Sequence, residues 1–315
     1  MRYSNLAVLA AATAVSAQRP EDESICDYYT TALLKNNTAE NQATLLTLVV
    51  NTAVIGNYTE PNVGIKVAGI LAEGEQDGEK VNLLPYFSGG LKSTNRDNKA
   101  VAVNFLDGGG AKPLMDNKPA DDEKSNQYFL LTHLYQFFGS LLGCSEQGMS
   151  GFDAYSADPS MYDVHKFMNL NKAEMDYFIT QVGMSAASFG VAESDVKAVG
   201  ESLNKLFNVR CAPATEVIKG QGAELQSICI AEDCPLAEKA TCDKYDKAVE
   251  PEEAMTGNST MTMSGTGTME ATGTQTQATE TGTGTGAPGT VETGAAAAKG
   301  LSVAALVAGV AAFVL

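Results

Sequence analysis

Two histidines limit the chemistry that this chain can perform. They are His133 and His165, in a sequence of 315 residues. A zinc site built from several histidines is excluded by this shortage. A serine or cysteine nucleophile activated by an imidazole would have to use one of the two. The search for functional residues therefore begins with the elements that carry these side chains.

Charge and composition exclude a further class of function. The formal net charge is −17, and 44% of the residues are hydrophobic. An acidic chain repels the phosphates of nucleic acids, so no nucleic-acid partner is expected. The apolar content is sufficient for a buried core, and the length allows one or two domains.

The elements that position these side chains are predicted to be helices. Gln127–Leu142, which carries His133, is rich in large apolar residues and predicts a buried helix. Asn171–Glu174 resembles a capping box and opens another helix. No stretch alternates with a period of two, so the sequence predicts an all-α fold within residues 18–250. Apolar residues at helical spacing predict three more helices, at Glu40–Ile55, Ser93–Leu106 and Glu193–Phe207.

Six cysteines indicate the compartment. An even number of cysteines in an exported chain predicts disulfides, and six allow fifteen pairings. The last four are close in sequence, which predicts local bridges in the C-terminal part of the domain. A metal site at the pair spaced Cys-x₄-Cys is disfavoured, because no histidine lies near it. The six are Cys26, Cys144, Cys211, Cys229, Cys234 and Cys242.

Both ends of the chain carry processing signals. Residues 1–17 combine Arg2, an apolar run and a Val-Ser-Ala cleavage pattern, and predict a secretory signal peptide. Residues 301–315 are uncharged and follow the small residues that begin at Gly294, which predicts GPI attachment at Gly294 and removal of residues 295–315. A short tail anchor is the alternative. The expected location is extracellular, at the cell surface.

A spacer separates the predicted domain from the predicted anchor. Residues 256–294 contain fourteen threonines in 39 positions and almost no large apolar side chains. Such a segment cannot offset its ordering entropy, so residues 251–294 are predicted to form a disordered, O-glycosylated stalk. N-glycosylation sequons occur at Asn36, Asn57 and Asn258.

One segment around the second histidine carries a family resemblance. Met161-Tyr162-Asp163-Val164-His165-Lys166, with the two predicted helices that follow it to Phe207, resembles the truncated haemoglobins, the short globins. In that family a Met-x-x-[Val/Ala]-His segment carries the proximal haem histidine, and a Gly-Val turn separates the next two helices, as Gly190-Val191 does here. The resemblance implies a globin-like helical domain with haem as its cofactor and His165 as the proximal ligand of the iron.

A second segment extends the resemblance. Pro85–Gly89, the predicted helix Ser93–Leu106 and the glycine pair after it are similar to the family's phenylalanine, distal helix and Gly-Gly. This implies that Phe87 packs against haem and that Asn95 and Lys99 point to its distal side. The chain departs from the family in the insertion 110–164, which includes the helix predicted at Gln127–Leu142, and in having Gly74 at the offset of the distal tyrosine.

The residues alone leave alternatives open. His165 is also typical of a partly exposed histidine where a loop meets a helix. His133 is more typical of a hydrogen-bonded core histidine than of a distal ligand, and Lys99 of a solvated lysine. Haem iron needs a neutral imidazole that faces an apolar slot, and its second ring nitrogen should donate a hydrogen bond.

The sequence thus predicts a cell-surface protein that binds haem. Its expected partners are haem or a small diatomic ligand, which it would bind or detoxify, and the membrane through the GPI anchor. The alternative is a structural or adhesive cell-wall protein whose globin-like fold holds no cofactor. An enzyme without a cofactor is a third possibility, which the shortage of histidines disfavours. The signal peptide, stalk and anchor together are similar to those of fungal wall proteins.

Overall fold

A computed structural model of the chain describes residues 19–254. Within that range there are eight α-helices, a short 3₁₀ helix and two antiparallel hairpins. The helices are α1 (Ile25–Leu34), α2 (Ala39–Ile55), α3 (Leu84–Ser88), α4 (Ala111–Met115), α5 (Asn126–Leu141), α6 (Met161–His165), α7 (Lys172–Ser188) and α8 (Glu193–Phe207). The strands are β1 (Gly74–Gln76), β2 (Glu79–Val81), β3 (Lys92–Arg96) and β4 (Lys99–Ala102).

The expectation of an all-α fold is wrong, because one predicted helix is a hairpin. The segment Ser93–Leu106 forms β3 and β4, which pair antiparallel. The chain reverses at Asp97 and Asn98, whose φ angles are 51° and 61°. Two consecutive positive φ values match the right-handed twist of a two-residue hairpin and cannot occur in a right-handed helix. The fold is mixed, with most of its core in helices and two small sheets at its side.

Four long helices lie close to their predicted positions because their signals are local. Thr38, Ser125 and Asn171 cap α2, α5 and α7, each accepting a hydrogen bond from a backbone N–H of the first turn. At Asn171 the reciprocal bond from its own N–H to Glu174 is also present, so the predicted capping box is confirmed. The fourth, α8, begins and ends at the predicted residues.

The core forms around α2. This helix packs against α1, α4, α5 and α7, and α7 packs also against α8. Buried apolar side chains come from α1, α2, α5, α7 and α8. Among them are Leu46, which is 1% exposed, and Met175, which is 2% exposed. Removal of this apolar surface from water is the main stabilising contribution to the domain.

The last turn of α2 is in direct backbone contact with the segment that follows it. Ile70 donates its N–H to the carbonyl of Ala53 at 2.8 Å, so the chain after α2 returns along the last turn of the helix. The close approach requires glycine at Gly56 and Gly69, both with φ of 85°. A Cβ on Gly69 would lie 2.7 Å from the carbonyl carbon of Ile55. The buried amide of Gln181 fixes this return, because its Oε1 accepts the N–H of Gly69 at 3.0 Å.

Three disulfides confirm the expectation from the cysteines. Cys26 pairs with Cys144 and joins α1 to the turn after α5. The other two pairs, Cys211–Cys242 and Cys229–Cys234, are local bridges in the C-terminal part, as predicted. None of the cysteines in the described range is free. Such bridges are typical of proteins that fold in oxidising compartments outside the cytosol.

Several predicted segments lie outside the described residues. They are the signal peptide (1–17), the GPI signal with Gly294 and residues 295–315, the sequon at Asn258 and all of the stalk except 251–254. Of the helices within residues 19–254, none is long and apolar enough to cross a membrane.

Candidate functional site

The helix that carries His165 is short and is held by contacts beyond itself. Ser160 caps α6, since its Oγ accepts the N–H of Asp163 at 3.1 Å. The same hydroxyl donates to the carbonyl of Leu225 at 3.0 Å, and Tyr162 donates its N–H to that carbonyl at 3.1 Å. A five-residue helix is marginal alone, so these bonds fix the position of the imidazole.

The imidazole of His165 has one defined hydrogen bond. Its Nδ1 lies 2.7 Å from the carbonyl oxygen of Met161, one turn earlier in α6. A carbonyl can only accept, so Nδ1 carries the hydrogen. Burial lowers the pKa of His165, which keeps the ring neutral near pH 7. In a neutral ring with a protonated Nδ1, Nε2 keeps its lone pair and can act as a ligand.

The predicted distal pair does not lie on a helix, and the structure separates its members. Asn95 is in β3, and its Nδ2 donates to the carbonyl of Asp163 in α6 at 2.8 Å. The amide oxygen of Asn95 is buried and has no hydrogen-bond partner within the described range. Lys99 starts β4 and is exposed. Asn95 thus lies against the helix of His165, whereas Lys99 matches the alternative of a solvated lysine.

Phe87 lies in a different helix from His165. It lies in α3, and its carbonyl accepts the N–H of Phe105 at 2.7 Å. Its side chain lines a void of about 10 Å³ together with Leu130 and Leu131 of α5. His165 does not line this void. The expected packing of Phe87 on a group bound at His165 has no support in these contacts.

A row of aromatic side chains on α5 was not identified from the sequence as a site. Phe129, His133 and Phe137 follow one another at intervals of four residues, which places them on one face of the helix. The ring of Tyr155 lies 6.3 Å from His133 and 5.5 Å from Phe137. Phe129 is 52% exposed, so the row runs from the surface into the core. The regular spacing of these aromatic residues was a detectable signal.

Two polar groups of this aromatic row are chemically distinctive. Burial lowers the pKa of His133, so this imidazole is also neutral near pH 7. Gln136 lies one turn along the same face, and its Oε1 is buried without a hydrogen-bond partner in the described range. A buried acceptor without a partner costs free energy and marks a place where a ligand or water can bind.

The aromatic row and α6 are joined in two ways. Tyr155 donates its hydroxyl to the carbonyl of Asp158 at 2.7 Å. The carboxylate of Asp158 accepts the N–H of Ser160, the residue that caps α6, at 2.9 Å. Strand β3 also contacts both helices, since Asn95 bonds to α6 and the guanidinium of Arg96 lies 3.5 Å from the amide oxygen of Asn126 at the start of α5. The elements that carry the two histidines are therefore held by one set of contacts.

A separate apolar cavity of about 60 Å³ lies among five helices. Its wall includes Leu46 and Val50 of α2, Phe138 of α5, Val182 of α7 and Val199 of α8. No histidine lines it. In residues 19–254, moreover, no group of three or more histidine, cysteine, aspartate or glutamate side chains could hold a metal ion.

Two of the three predicted glycosylation sites are described. Asn36 and Asn57 are both exposed, Asn36 after α1 and Asn57 just after α2. The side-chain oxygen of Asn57 accepts the N–H of Val67 at 2.6 Å. Its side-chain nitrogen, the atom that a glycan modifies, is not used in that bond.

Comparison with protein-family models, with curated proteins and with solved structures finds no match for this chain. The function must therefore be inferred from the residues and contacts described above.

Proposed function

We propose that this domain binds haem through Nε2 of His165. The observation that carries the proposal is the bond from Nδ1 of His165 to the carbonyl of Met161, which leaves Nε2 with a free lone pair. The lowered pKa of the ring removes the competition with a proton at extracellular pH. One neutral imidazole with its other nitrogen donating to a carbonyl is the donor that haem iron requires.

We propose that the aromatic row of α5 lines the face of the bound haem opposite His165. Phe129 offers exposed apolar surface, and the row continues into the core through His133, Tyr155 and Phe137. This arrangement replaces the pair Asn95 and Lys99 that the sequence suggested. The bound haem would supply an iron centre for binding or detoxifying a diatomic ligand, or would itself be the captured cargo. The chain's own contribution is to hold α6 and α5 at a fixed separation through Tyr155, Asp158 and β3.

An absorbance titration of the purified mature chain with haem tests this proposal. We expect a Soret shift, and at free haem of a hundred times Kd a gain in unfolding free energy of about 2.7 kcal/mol. His165→Ala should abolish the shift. His133→Ala is the matched control, because it removes the other imidazole and should leave haem bound with an altered spectrum.

Two outcomes would contradict the proposal. One is the absence of a spectral shift for the wild-type chain under native, oxidising conditions. The other is a His165→Ala variant that is folded, as judged by circular dichroism, and binds haem as tightly as the wild type. Either result would favour the cofactor-free structural or adhesive wall protein.

We also propose that the mature chain is held at the cell surface by a GPI anchor on Gly294. The support is the run of small residues followed by fifteen uncharged residues at the C-terminus, together with three disulfides compatible with export. A phosphatidylinositol-specific phospholipase, or mild digestion of the wall, should release the protein from intact cells. Detection of a peptide from residues 301–315 in the mature protein would contradict this location.

A further inference from the structure

The last described residues form a strap across the domain. We use the term C-terminal strap for residues 245–254. Its first anchor is Tyr245, whose ring lies 4.6 Å from that of Tyr162 and whose hydroxyl donates to the carbonyl of Ala212 at 2.6 Å. The next N–H, of Asp246, donates to the hydroxyl of Tyr162 at 2.7 Å. The strap is thus fixed to α6 at its start.

A second anchor holds the other end of the strap. Lys92 of β3 donates its N–H to the carbonyl of Glu252 at 2.8 Å, and the two side chains form an ion pair at 2.7 Å. Before that point, the carboxylate of Glu250 accepts a hydrogen bond from Nδ2 of Asn169 at 2.6 Å. The two anchors leave a short connecting segment between them.

That connecting segment is Lys247-Ala248-Val249, and its backbone is free. In the described part of the chain, no N–H or carbonyl of these three residues makes a hydrogen bond. Lys247 is exposed, and 64% of Val249 is exposed. Endoproteases bind their substrates as extended strands through free backbone groups, and exposed unpaired segments are where they cut.

The strap offers a chemically matched comparison in the same protein. Lys239-Ala240 has the same two residues as Lys247-Ala248, both lysines are exposed, and the backbone of Lys239-Ala240 also lacks hydrogen bonds within residues 19–254. The two differ in their covalent setting. Lys239 lies before Cys242, which is bonded to Cys211, so a cut there leaves the rest of the chain attached by the disulfide. Lys247 lies after the last cysteine.

We propose that the bond between Lys247 and Ala248 is a proteolytic release site. An extracellular endoprotease that cuts after lysine would add water across this amide, leaving a carboxylate on Lys247 and an amine on Ala248. One cut separates all six cysteines and every described helix from everything that follows residue 247. The released product is an intact domain, and the strap remnant is then held to it only by non-covalent contacts, which include those of Glu250, Glu252 and Ala254.

Limited digestion of the native, oxidised mature chain with a lysine-specific endoprotease tests the proposal. Intact masses are read after denaturation, with and without reduction. We expect the earliest product to end at Lys247 and to be visible without reduction, whereas a product of cleavage after Lys239 appears only after reduction. Lys247→Gln should slow the release at least ten-fold, and the matched Lys239→Gln should not change it.

The same masses can contradict the proposal. A first cut at any other lysine would overturn it, as would release of the Lys247→Gln chain at the wild-type rate. Cells that produce the chain give a second test, because the domain recovered from their medium should end at Lys247. A different C-terminus, or no domain in the medium, would also overturn the assignment.

Discussion

Tyr29 in α1 donates its hydroxyl hydrogen to Asp195 in α8 at 2.8 Å, although the two residues are 166 positions apart in the sequence. The same hydroxyl accepts the N–H of Ala192, the residue that precedes α8, at 2.8 Å. The other carboxylate oxygen of Asp195 pairs with the guanidinium of Arg19 at 3.0 Å. This network attaches the N-terminal segment and α1 to the last long helix of the core.

Removal of the Tyr29 hydroxyl should destabilise the domain. Tyr29→Phe leaves the N–H of Ala192 and one oxygen of Asp195 without partners, and each buried unpaired group costs about 1–3 kcal/mol. The matched control is Tyr128→Phe, because the hydroxyl of Tyr128 makes no hydrogen bond in the described range. Urea unfolding measured by circular dichroism reports both variants. Equal stabilities for the two variants would contradict the role assigned to the network.

The helices could be predicted because their signals are local. Asn171 and Glu174 are three residues apart, and their capping box is visible in the sequence. The hairpin was misread because Ala100, Val103 and Leu106 recur at a spacing of three, which suits a helix. Asp97 and Asn98, with positive φ, decided the conformation. Two turn-forming residues outweighed a weak apolar pattern.

The candidate site could be predicted only in part. His165 was identified because the types and order of its neighbours are local information. The bond from Asn95 to the carbonyl of Asp163 joins residues 68 positions apart, and no local pattern indicates it. The three disulfide pairings were open for the same reason, since fifteen arrangements satisfy six cysteines. Contacts between distant residues depend on how the helices pack.

The close approach at Gly69 gives a second prediction. Gly69→Ala places a Cβ against the backbone of Ile55 and Gly56, which cannot move without breaking the end of α2. Gly64→Ala is the control, because its φ of 77° carries the same backbone strain but nothing lies within 4 Å of the added atom. We expect the control to lose about 1–2 kcal/mol and Gly69→Ala to lose about 3 kcal/mol more. Chemical denaturation of the two variants checks this, and a smaller loss for Gly69→Ala than for Gly64→Ala would refute it.

The disulfides should contribute unequally to stability. Cys26–Cys144 closes a loop of 118 residues and Cys229–Cys234 one of 5. The loop-entropy relation gives about 4.9 kcal/mol for the first and about 2 kcal/mol for the second. Replacing both cysteines of each pair by alanine, followed by urea unfolding, measures the two losses. A larger loss for the short loop would show that packing of the fully buried Cys229, rather than loop closure, dominates.

The pH dependence of stability should report the burial of His165. Burial lowers its pKa in the folded state below the usual value of about 6.5, so the unfolded chain binds the proton more readily. The contribution of His165 to stability is therefore fully present above about pH 6.5 and is lost as the pH falls through the lowered pKa. The slope can reach about 1.4 kcal/mol per pH unit for one group. Urea unfolding of the cofactor-free chain at pH 7.5, 6.5 and 5.5 measures it.

Comparing the pH dependence of stability of the wild type and of His165→Gln separates the contribution of His165 from those of other groups that titrate in the same pH range. His133 contributes with the same sign, since burial also lowers its pKa. Glu174 contributes with the opposite sign, because burial and the charges of Glu250 and Asp233 raise its pKa. Its stabilising contribution is present at low pH and is lost as the pH rises through that raised pKa. His165→Gln leaves both other groups in place, so its stability should change less than that of the wild type between pH 7.5 and 5.5. Identical slopes for the two chains would mean that the imidazole of His165 is not desolvated, and the argument for a free Nε2 at acidic pH would fail with it.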